Sequence, residues 1–203
     1  MNKKIFYLNG TSGYIGGELL KELLLKNKKV IIENRRLKDM KYSGFFIQIA
    51  SPSDKDDFEN KLEMKKSMID DVKHNINISI KNNLVFIFCS SIAAEEMNNQ
   101  YGIYKKDIEN ILIEYSKIYN LKYLILRIPR IYSKDRPKGL MKQLRNNEVP
   151  EKDFSNVIHF MELSNFIKKL TKIISGKIPK NKIIKFKKLK KLSIIDIKKR
   201  YEL

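Results

Sequence analysis

The sequence has few residues of the kinds that build disulfides or metal centres. Among 203 residues there is one cysteine, Cys89, and there are two histidines, His74 and His159, far apart in the chain. One cysteine can form neither an internal disulfide nor a metal cluster, and isolated histidines serve more often in packing or at the surface than as ligands. We therefore expect no metal centre and a cytoplasmic protein.

Long apolar runs are missing as well. No stretch approaches the roughly 20 uninterrupted apolar residues of a membrane span. The first residues, "MNKKIFYLNG", lead directly into an apolar, strand-like run rather than into a secretory signal. These features predict a protein without a membrane span or a leader. The apolar content of 42% and the length of 203 residues indicate one globular domain with a core of its own.

Acidic residues are scarce relative to basic ones, with 23 Asp and Glu against 42 Lys and Arg, for a net charge of +19. Such a charge attracts nucleic acid, anionic lipid or a phosphorylated substrate. The lysines, however, are spread from Lys3 to Lys199 without interleaved aromatic residues, and an excess of Lys, Ile and Asn is typical of an AT-rich genome. We interpret the charge as a solvated basic surface and do not expect nucleic acid as a partner. The alternative is a functional patch in the densest run, "KIPKNKIIKFKKLKK" at 177–191.

Apolar runs alternate with helical periodicities along the first two thirds of the chain, and the last third is less regular. This alternation predicts an α/β protein built on a doubly wound parallel sheet. We expect a single domain over 1–203 with a small appended lobe over about 133–203. The predicted strands are 4–9, 29–33, 44–50, 84–90 and 122–128, and the predicted helices are 14–27, about 59–82 and about 101–119.

Glycine is also rare, yet four of the eight glycines lie in "NGTSGYIGG" at 9–17, between the first predicted strand and helix. Glycine permits a tight turn and lets a phosphate approach the backbone, and the following helix N-terminus attracts the phosphate. A plain tight turn is the alternative, but a strand–turn–helix–strand unit of about thirty residues favours a dinucleotide pyrophosphate site. The predicted cofactor contacts of this turn are Gly10, Ser12, Gly13, Tyr14, Ile15 and Gly16.

The end of the second predicted strand, "VIIENRRLKD", gives two conflicting signals about the cofactor. Glu33 could accept hydrogen bonds from an adenosine ribose, which favours NAD, whereas Arg35 and Arg36 could bind a 2′-phosphate, which favours NADP. Because the arginines lie where the loop would pass the ribose, we expect NADP(H) rather than NAD(H).

A second group of residues lies in "FCSSIAAEEMNNQYGIYKK". Ser90 and Ser91 end a predicted core strand, and Tyr101 and Lys105 share a face of the next helix because they are four residues apart. An adjacent ammonium lowers the pKa of a phenol, which can then exchange a proton with an alcohol, while a serine holds the substrate oxygen. Tyrosine and lysine at this spacing are common and mean little alone. The glycine turn and the serine-ended strand favour a catalytic role for Ser91, Tyr101 and Lys105.

Together these motifs resemble the extended branch of the short-chain dehydrogenase/reductase superfamily, the NAD(P)-dependent epimerases, dehydratases and reductases of nucleotide sugars. Within the branch, the segment "YGIYKKDIENILIEYSK" is similar to the corresponding segment of capsular-polysaccharide C4-reductase domains. The likeness covers most of the chain. It rests on the glycine motif, the Tyr-x-x-x-Lys pair and the segments "FFIQIASPSD", "FCSSIAA", "LKYLILRIPRIYSKDRP" and "NVIHFMELSNFIKKL".

The resemblance implies a Rossmann-like doubly wound parallel sheet with a reduced C-terminal substrate lobe. It implies that Tyr101 transfers the proton, that Ser91 orients the substrate oxygen, and that Lys105 holds the cofactor ribose and lowers the pKa of the phenol. It further implies cofactor contacts for Ala50, Ser51, Ile128, Tyr101 and Lys105, and substrate contacts for Ser90, Ser91 and Arg130.

The chain departs from the family in two respects. Members of the branch are usually longer, so much of the substrate lobe is missing. The dehydratases carry an Asp-Glu pair after the catalytic serine or threonine, where this chain has Ile92 and Ala93, so dehydration is the least expected reaction. We predict a nucleotide-sugar reductase or epimerase of surface-polysaccharide biosynthesis, and a homodimer formed through the helix carrying Tyr101. The alternative is a non-catalytic dinucleotide-binding module that binds a partner protein or nucleic acid.

Overall fold

The computed structural model describes residues 5–33, 36, 44–49, 62–176 and 178–203. The chain forms two compact units. Unit 1 consists of Met1–Ile128 with Thr171–Lys185, and unit 2 consists of Pro129–Leu170 with Phe186–Leu203. Three predicted cofactor contacts, Arg35, Ala50 and Ser51, lie outside the described residues.

Unit 1 is an α/β unit in which strands and helices alternate. Its strands are β1 (Ile5–Asn9), β2 (Lys29–Glu33), β3 (Gly44–Gln48), β4 (Val85–Ser91), β5 (Lys122–Ile128) and β8 (Lys182–Lys185). Its helices are α1 (Tyr14–Leu25), α2 (Leu62–Lys81), α3 (Ala93–Glu96) and α4 (Gln100–Tyr119).

The six strands form one sheet in the order β2-β1-β3-β4-β5-β8, and every neighbouring pair is parallel. β1 lies between β2 and β3, so the chain builds outward on one side of β1 and then crosses to the other. In open α/β sheets, ligands bind outside the carboxyl ends of the strands at such a reversal. The sheet order therefore makes the ends of β1 and β3 the candidate position for a ligand.

The core of unit 1 forms because its central strands are apolar on both faces. Every residue of β1 is buried, and β4 is buried from Val85 to Ser90. On one face, alternate residues of the strands meet apolar side chains of α2 and α4, as the two-residue period of a strand requires. This cluster includes Tyr7, Phe46, Phe86, Phe88 and Ile125 from the strands, Val72 and Ile76 from α2, and Tyr104, Ile108 and Leu112 from α4.

Unit 2 is smaller and has its own core. Its strands are β6 (Ile131–Tyr132), β7 (Val157–Glu162) and β9 (Lys190–Ser193), in the order β6-β7-β9, with β7 and β9 antiparallel. It also contains α5 (Leu140–Arg145), a 3-10 turn at Glu151–Asp153, the first eight residues of α6 (Leu163–Ser175), and α7 (Ile194–Tyr201). Its core packs Tyr132, Met141, Leu144, Phe160, Ile194 and Ile197.

The structure confirms the predicted Rossmann-like parallel sheet. The predicted strands 29–33 and 122–128 have the observed bounds, whereas the first helix ends at Leu25 rather than 27 because Asn27 adopts a left-handed conformation with φ 52°. The sequence pattern missed the regular elements of the last third. There the basic run 177–191 supplies β8 and the start of β9, short strands whose lysines suit exposed sheet positions.

Among the described residues, none of the helices is both long enough and apolar enough to span a bilayer. In the same part of the chain, no group of three or more His, Cys, Asp or Glu side chains is arranged to hold a metal ion.

Candidate functional site

The turn between β1 and α1 brings three predicted glycines together. Gly10 has φ +74°, which side chains other than glycine rarely adopt, and its carbonyl oxygen accepts a hydrogen bond from the N–H of Gly13 at 3.1 Å. Gly13 occupies the N-cap position of α1 and is exposed. A helix N-terminus capped by glycine presents its backbone and its positive dipole end without a covering side chain.

The glycines of this turn have different structural roles. A Cβ at Gly16 would lie 2.0 Å from the carbonyl oxygen of Gly10, whereas a Cβ at Gly13 would lie 3.2 Å from the same oxygen. Gly16 therefore lets α1 pack directly against the turn, and Gly13 tolerates a side chain more easily. Ser12 is exposed, and Tyr14 and Ile15 are partly buried at the start of the helix.

Buried amides that no sequence motif predicts support the ends of β1 and β3. Asn9 is fully buried, and its Oδ1 accepts a hydrogen bond from the N–H of Ile49 at 2.8 Å. Gln48 is buried as well, and its Oε1 accepts from Nδ2 of Asn75 on α2 at 3.0 Å. The sequence signal for them was that each of two apolar strands ends in a polar residue, Asn9 in β1 and Gln48 in β3. These bonds fix the two strand ends at the reversal of the sheet.

Two of the residues predicted to select the cofactor are described. Glu33 ends β2 and is partly buried. Arg36 donates from Nε to Oδ1 of Asp71 on α2 at 2.7 Å, while its side chain remains 59% exposed. The ion pair orients an accessible guanidinium just beyond the end of β2.

Ser91 is the last residue of β4 and lies opposite Ile128 of β5, so two predicted site residues meet at the carboxyl edge of the sheet. Ser91 Oγ accepts a hydrogen bond from the N–H of Ala93 at 3.2 Å, at the start of α3. The serine hydrogen can then be donated elsewhere, as a substrate oxygen would require.

The start of α4 is held against α3. Asn99 caps α4 by accepting the N–H of Gly102 at 2.8 Å. A Cβ at Gly102 would lie 2.4 Å from the carbonyl oxygen of Ala93, so the two backbones touch at this point. Ser91 and Tyr101 therefore stand on segments that pack together through Ala93 and Gly102.

Lys105 is buried on the inner face of α4, with only 2% of its surface exposed. Its Nζ donates to the carbonyl oxygen of Cys89 at 2.9 Å and lies 5.6 Å from the ring centroid of Tyr101 and 4.8 Å from that of Phe88. Burial lowers the pKa of Lys105 to about 8, opposed by the nearby Cys89 and Glu109. The structure thus brings Tyr101 and Lys105 together.

Tyr104, the neighbour that could be mistaken for Tyr101, is 1% exposed and belongs to the core cluster of unit 1. Tyr101 is partly buried and packs at the edge of the same cluster.

Cys89 is buried too, and burial raises the pKa of its thiol to about 12, so it remains a neutral packing residue.

Ser90, predicted to contact substrate, takes part in a buried charged network. Its Oγ donates to Oε1 of Glu109 at 2.6 Å, and Glu109 is fully buried. Arg127 donates from Nε to Oε1 of Glu109 at 2.9 Å and from Nη2 to Oε2 at 2.6 Å. Glu109 and Arg127 were not among the residues that the sequence motifs predict for the site. A carboxylate four residues after Lys105, on an inward helix face, was the available signal.

The remaining predicted residues lie at the end of β5 and in unit 2. The carbonyl oxygen of Ile128 accepts the N–H of Ile92 at 3.1 Å. Arg130 belongs to unit 2 and is exposed, and its carbonyl oxygen accepts the N–H of Met161 at 2.8 Å. Burial raises the pKa of the neighbouring Tyr132, while Arg130 and Arg136 oppose the rise.

The glycine turn yields a first prediction. Gly16→Ala should lower the free energy of unfolding by roughly 1–3 kcal/mol or more, because the new methyl group overlaps the Gly10 carbonyl. Gly17→Ala is the matched control, since its Cβ would lie 3.2 Å from the Thr11 oxygen and the gain in helix propensity, about 1 kcal/mol, offsets that contact. Urea denaturation measures both, and equal stabilities would contradict the assigned close approach.

The buried lysine yields a second prediction, for the variant Lys105→Met. Between about pH 8 and 10.5 the unfolded chain keeps a proton that folded Lys105 has released, so wild-type stability rises with pH through this window. Below pH 8 the wild-type protein bears the full cost of burying a charged Lys105, which the methionine variant avoids. The difference in the free energy of unfolding, variant minus wild type, should therefore be greatest below pH 8. It should fall by roughly 3 kcal/mol in total as the pH rises to 10.5. Lys117→Met, at an exposed position of α4, should show no such trend in denaturation series. A pH-independent difference for Lys105→Met would refute the lowered pKa.

Comparison with known proteins finds likeness in structure rather than in sequence. No family model matches the sequence, and no curated protein matches it. The chain is similar to UDP-glucose 4-epimerase from Thermotoga maritima with UDP-glucose, with a TM-score of 0.78 and 17% identity over 98% of this chain and 81% of the epimerase. It is similar to the dTDP-glucose 4,6-dehydratase DesIV from Streptomyces venezuelae with NAD and TYD bound, with a TM-score of 0.79 and 12% identity over 97% and 80%.

The capsular polysaccharide assembling protein CapF from Staphylococcus aureus is also similar, with a TM-score of 0.69 and 18% identity, and here the match covers 97% of this chain but 57% of CapF. These neighbours have the fold that the sequence motifs predicted. The chain thus has the fold of this UDP-glucose 4-epimerase and this dTDP-glucose 4,6-dehydratase.

Proposed function

We propose that the chain is an NAD(P)-dependent enzyme that reduces or epimerises a nucleotide-linked sugar, with Ser91, Tyr101 and Lys105 as its catalytic residues. The observation that carries the proposal is the buried Lys105 ammonium, held by the Cys89 carbonyl beside the Tyr101 ring. Burying an ammonium is costly, and a lysine in such a place next to a phenol is typical of a functional site.

The glycine turn fits the pyrophosphate of a dinucleotide. A phosphate that approaches the first turn of α1 meets the exposed Gly13 rather than a side chain, and the helix dipole favours its negative charge. When bound, the nicotinamide would exchange a hydride with a sugar carbon. Gly10, Ser12, Tyr14, Ile15 and Gly16 would hold the pyrophosphate end, with Lys105 at the nicotinamide ribose.

The three catalytic residues have distinct tasks in this proposal. Tyr101 gives or takes the proton of the sugar hydroxyl, and the Lys105 ammonium favours its phenolate form. Ser91 donates its hydroxyl hydrogen to the same sugar oxygen while its Oγ accepts from Ala93. Ser90 is engaged with Glu109, so we assign the substrate contact at this strand end to Ser91.

The residues that follow Ser91 in the sequence bear on the class of reaction. A dehydration would need an acid–base pair there, but Ile92 and Ala93 follow the serine. The next acid, Glu95, is paired with Arg127 and with Lys185, at 2.5 Å for the lysine. Reduction or epimerisation is therefore favoured. The structural likeness to the capsular polysaccharide assembling protein CapF supports a role in surface-polysaccharide biosynthesis. A substrate contact of Arg130 and a homodimer through α4 belong to the same proposal.

We also propose a preference for NADP(H), carried by the Arg36 guanidinium that Asp71 orients. Arg36→Ala should weaken NADPH binding at least tenfold and NADH binding much less, because only NADPH has a 2′-phosphate to pair with the arginine. Lys117→Ala, which removes the same charge from an exposed position of α4, is the control for altered net charge. Isothermal titration with both dinucleotides decides the matter, and tighter NADH binding by the wild-type protein would reverse the assignment.

Tyr101 and Tyr104 form a matched pair for testing the catalytic assignment. Tyr101→Phe should lower turnover by roughly 10² to 10⁴ while the fold and cofactor affinity persist, because one positioned proton donor is lost. Tyr104→Phe should leave turnover within a few-fold of wild type, since Tyr104 lies in the core. NADPH oxidation with a panel of UDP- and dTDP-linked keto-sugars, and isomer formation with UDP-hexoses, are the measurements. Normal turnover by Tyr101→Phe with a damaged Tyr104→Phe would show that the site is misassigned.

The alternative function is a non-catalytic dinucleotide-binding module for a protein or nucleic-acid partner. The net charge of +19 and the reduced substrate lobe favour it. Thermal shifts with NADPH, UDP-sugars and a DNA duplex discriminate the two functions, since a ligand that binds the native state raises its stability. Stabilisation by DNA alone would favour the alternative.

A further inference from the structure

The charged network around Glu109 lies next to the catalytic residues without belonging to them. Glu109 is fully buried, and a buried carboxylate is strongly destabilising unless it is paired and hydrogen-bonded. Here the guanidinium of Arg127 meets both carboxylate oxygens, and the Ser90 hydroxyl adds a third bond. A fork-shaped pair of this kind fixes orientation as well as charge.

The network reaches the site from two sides. Along α4, Glu109 is one turn after Lys105, which in turn is one turn after Tyr101, so the three residues share a helix face. Across the sheet, Glu109 holds Ser90, whose neighbours in β4 are Cys89 and Ser91. Cys89 provides the carbonyl that receives the Lys105 ammonium, and Ser91 is the assigned catalytic serine.

Arg127 extends the network to α3. Its Nη1 donates to Oε1 of Glu95, and Lys185 from β8 lies 2.5 Å from the same oxygen. The hydrogen bond from Lys185, with a further one from Arg127, holds the pKa of Glu95 below its usual range. Because α3 begins at the Ala93 amide that bonds Ser91, the ion pair anchors the segment directly after the serine.

We propose that Glu109 is a positioning residue that acts through Ser90, Arg127 and Lys105 to hold the end of β4 and the charged state of the catalytic lysine. Its carboxylate fixes Ser90 and thereby the Cys89 carbonyl and the Ser91 hydroxyl on either side. Its negative charge favours the ammonium form of Lys105 in a place where burial favours the neutral amine. The catalytic part of this inference rests on the proposed function, whereas the effect on Lys105 does not.

Four groups around Lys105 enter the test. Glu109 and Tyr101 lie on the same helix, Cys89 lies on β4, and Arg127 lies on β5 beyond Glu109. Cys89 remains a neutral thiol because burial raises its pKa to about 12. Of the two groups that oppose the burial effect on Lys105, Glu109 is therefore the one that carries a negative charge while the thiol is neutral. Its removal should ease deprotonation of Lys105.

The experiment compares Glu109→Gln with Glu114→Gln. Glutamine at 109 keeps the shape and an oxygen for Ser90 but loses the charge, and Glu114 is an exposed residue of the same helix. The ionisation of Lys105 is followed by NMR of lysine side chains, with its resonance assigned from Lys105→Met. Glu109→Gln should lower the pKa of Lys105 by roughly half a unit or more, and Glu114→Gln should leave it unchanged. An unchanged value in folded Glu109→Gln would overturn the proposal.

Turnover supplies the second readout. Glu109→Gln should lower kcat by roughly 10- to 10²-fold through misplacement of Ser91 and Lys105, with a pH profile displaced to lower pH. Glu109→Asp should recover part of the loss and shift the profile back, since the charge is restored. A general loss of stability would lower activity without displacing the profile, and that result would refute positioning.

Glu109→Gln leaves the buried Arg127 with a weakened partner, so the variant could fail to fold. The double variant Glu109→Gln/Arg127→Gln removes both charges and avoids an unpaired buried ion. It should fold and still show a lowered pKa for Lys105, and an unchanged value there would overturn the proposal equally. Because the titration needs no substrate, it tests the effect of Glu109 on Lys105 even if the wild-type protein proves to have no oxidoreductase activity.

Discussion

The hydrogen bond from Lys105 to the carbonyl of Cys89 connects the helix that carries Tyr101 to β4, one of the two middle strands of the sheet. An ammonium with 2% exposure has lost nearly all of its water, so the protein must supply its partners. A backbone carbonyl and two aromatic rings do so here. Because a backbone carbonyl cannot move independently of its strand, this bond fixes which residue of α4 lies beside which residue of β4. The arrangement of Ser91, Tyr101 and Lys105 depends on that fixation.

The carboxyl edge of the sheet needs further support because strand ends lack the ladder bonds of the interior. At β1 and β3 the support is neutral, through the amides of Asn9, Gln48 and Asn75. At β4 and β5 it is ionic, through Glu109 and Arg127. Neutral amides suit the position next to the glycine turn, where a carboxylate would repel the anionic ligand that we propose for the positive end of the helix dipole. The ionic pair lies one helical turn from Lys105, the lysine of the proposed catalytic site.

Close backbone approaches connect these supports. At Gly16 the helix meets the Gly10 carbonyl, and at Gly102 the start of α4 meets the Ala93 carbonyl. In both places a glycine lets a helix start beside the end of a strand, so that its dipole and first side chains face the same edge. The two contacts lie after β1 and after β4, and the proposed cofactor and sugar chemistry would use that edge. Unit 2, with its own core, completes the chain.

From the sequence one can predict the parallel sheet, the approximate bounds of most helices and strands of unit 1, and the pairing of Tyr101 with Lys105. These features are local, because burial of a strand on both faces and the 3.6-residue helical period leave their pattern in consecutive residues. Only the packed structure shows that Ser90 donates to Glu109 while Ser91 accepts the N–H of Ala93, because adjacent strand residues face opposite ways and the packed neighbours distinguish the two faces. It likewise decided that the four residues of β8 join the sheet, since a short strand of alternating lysine and isoleucine is defined by the hydrogen bonds it makes with β5 rather than by its own composition.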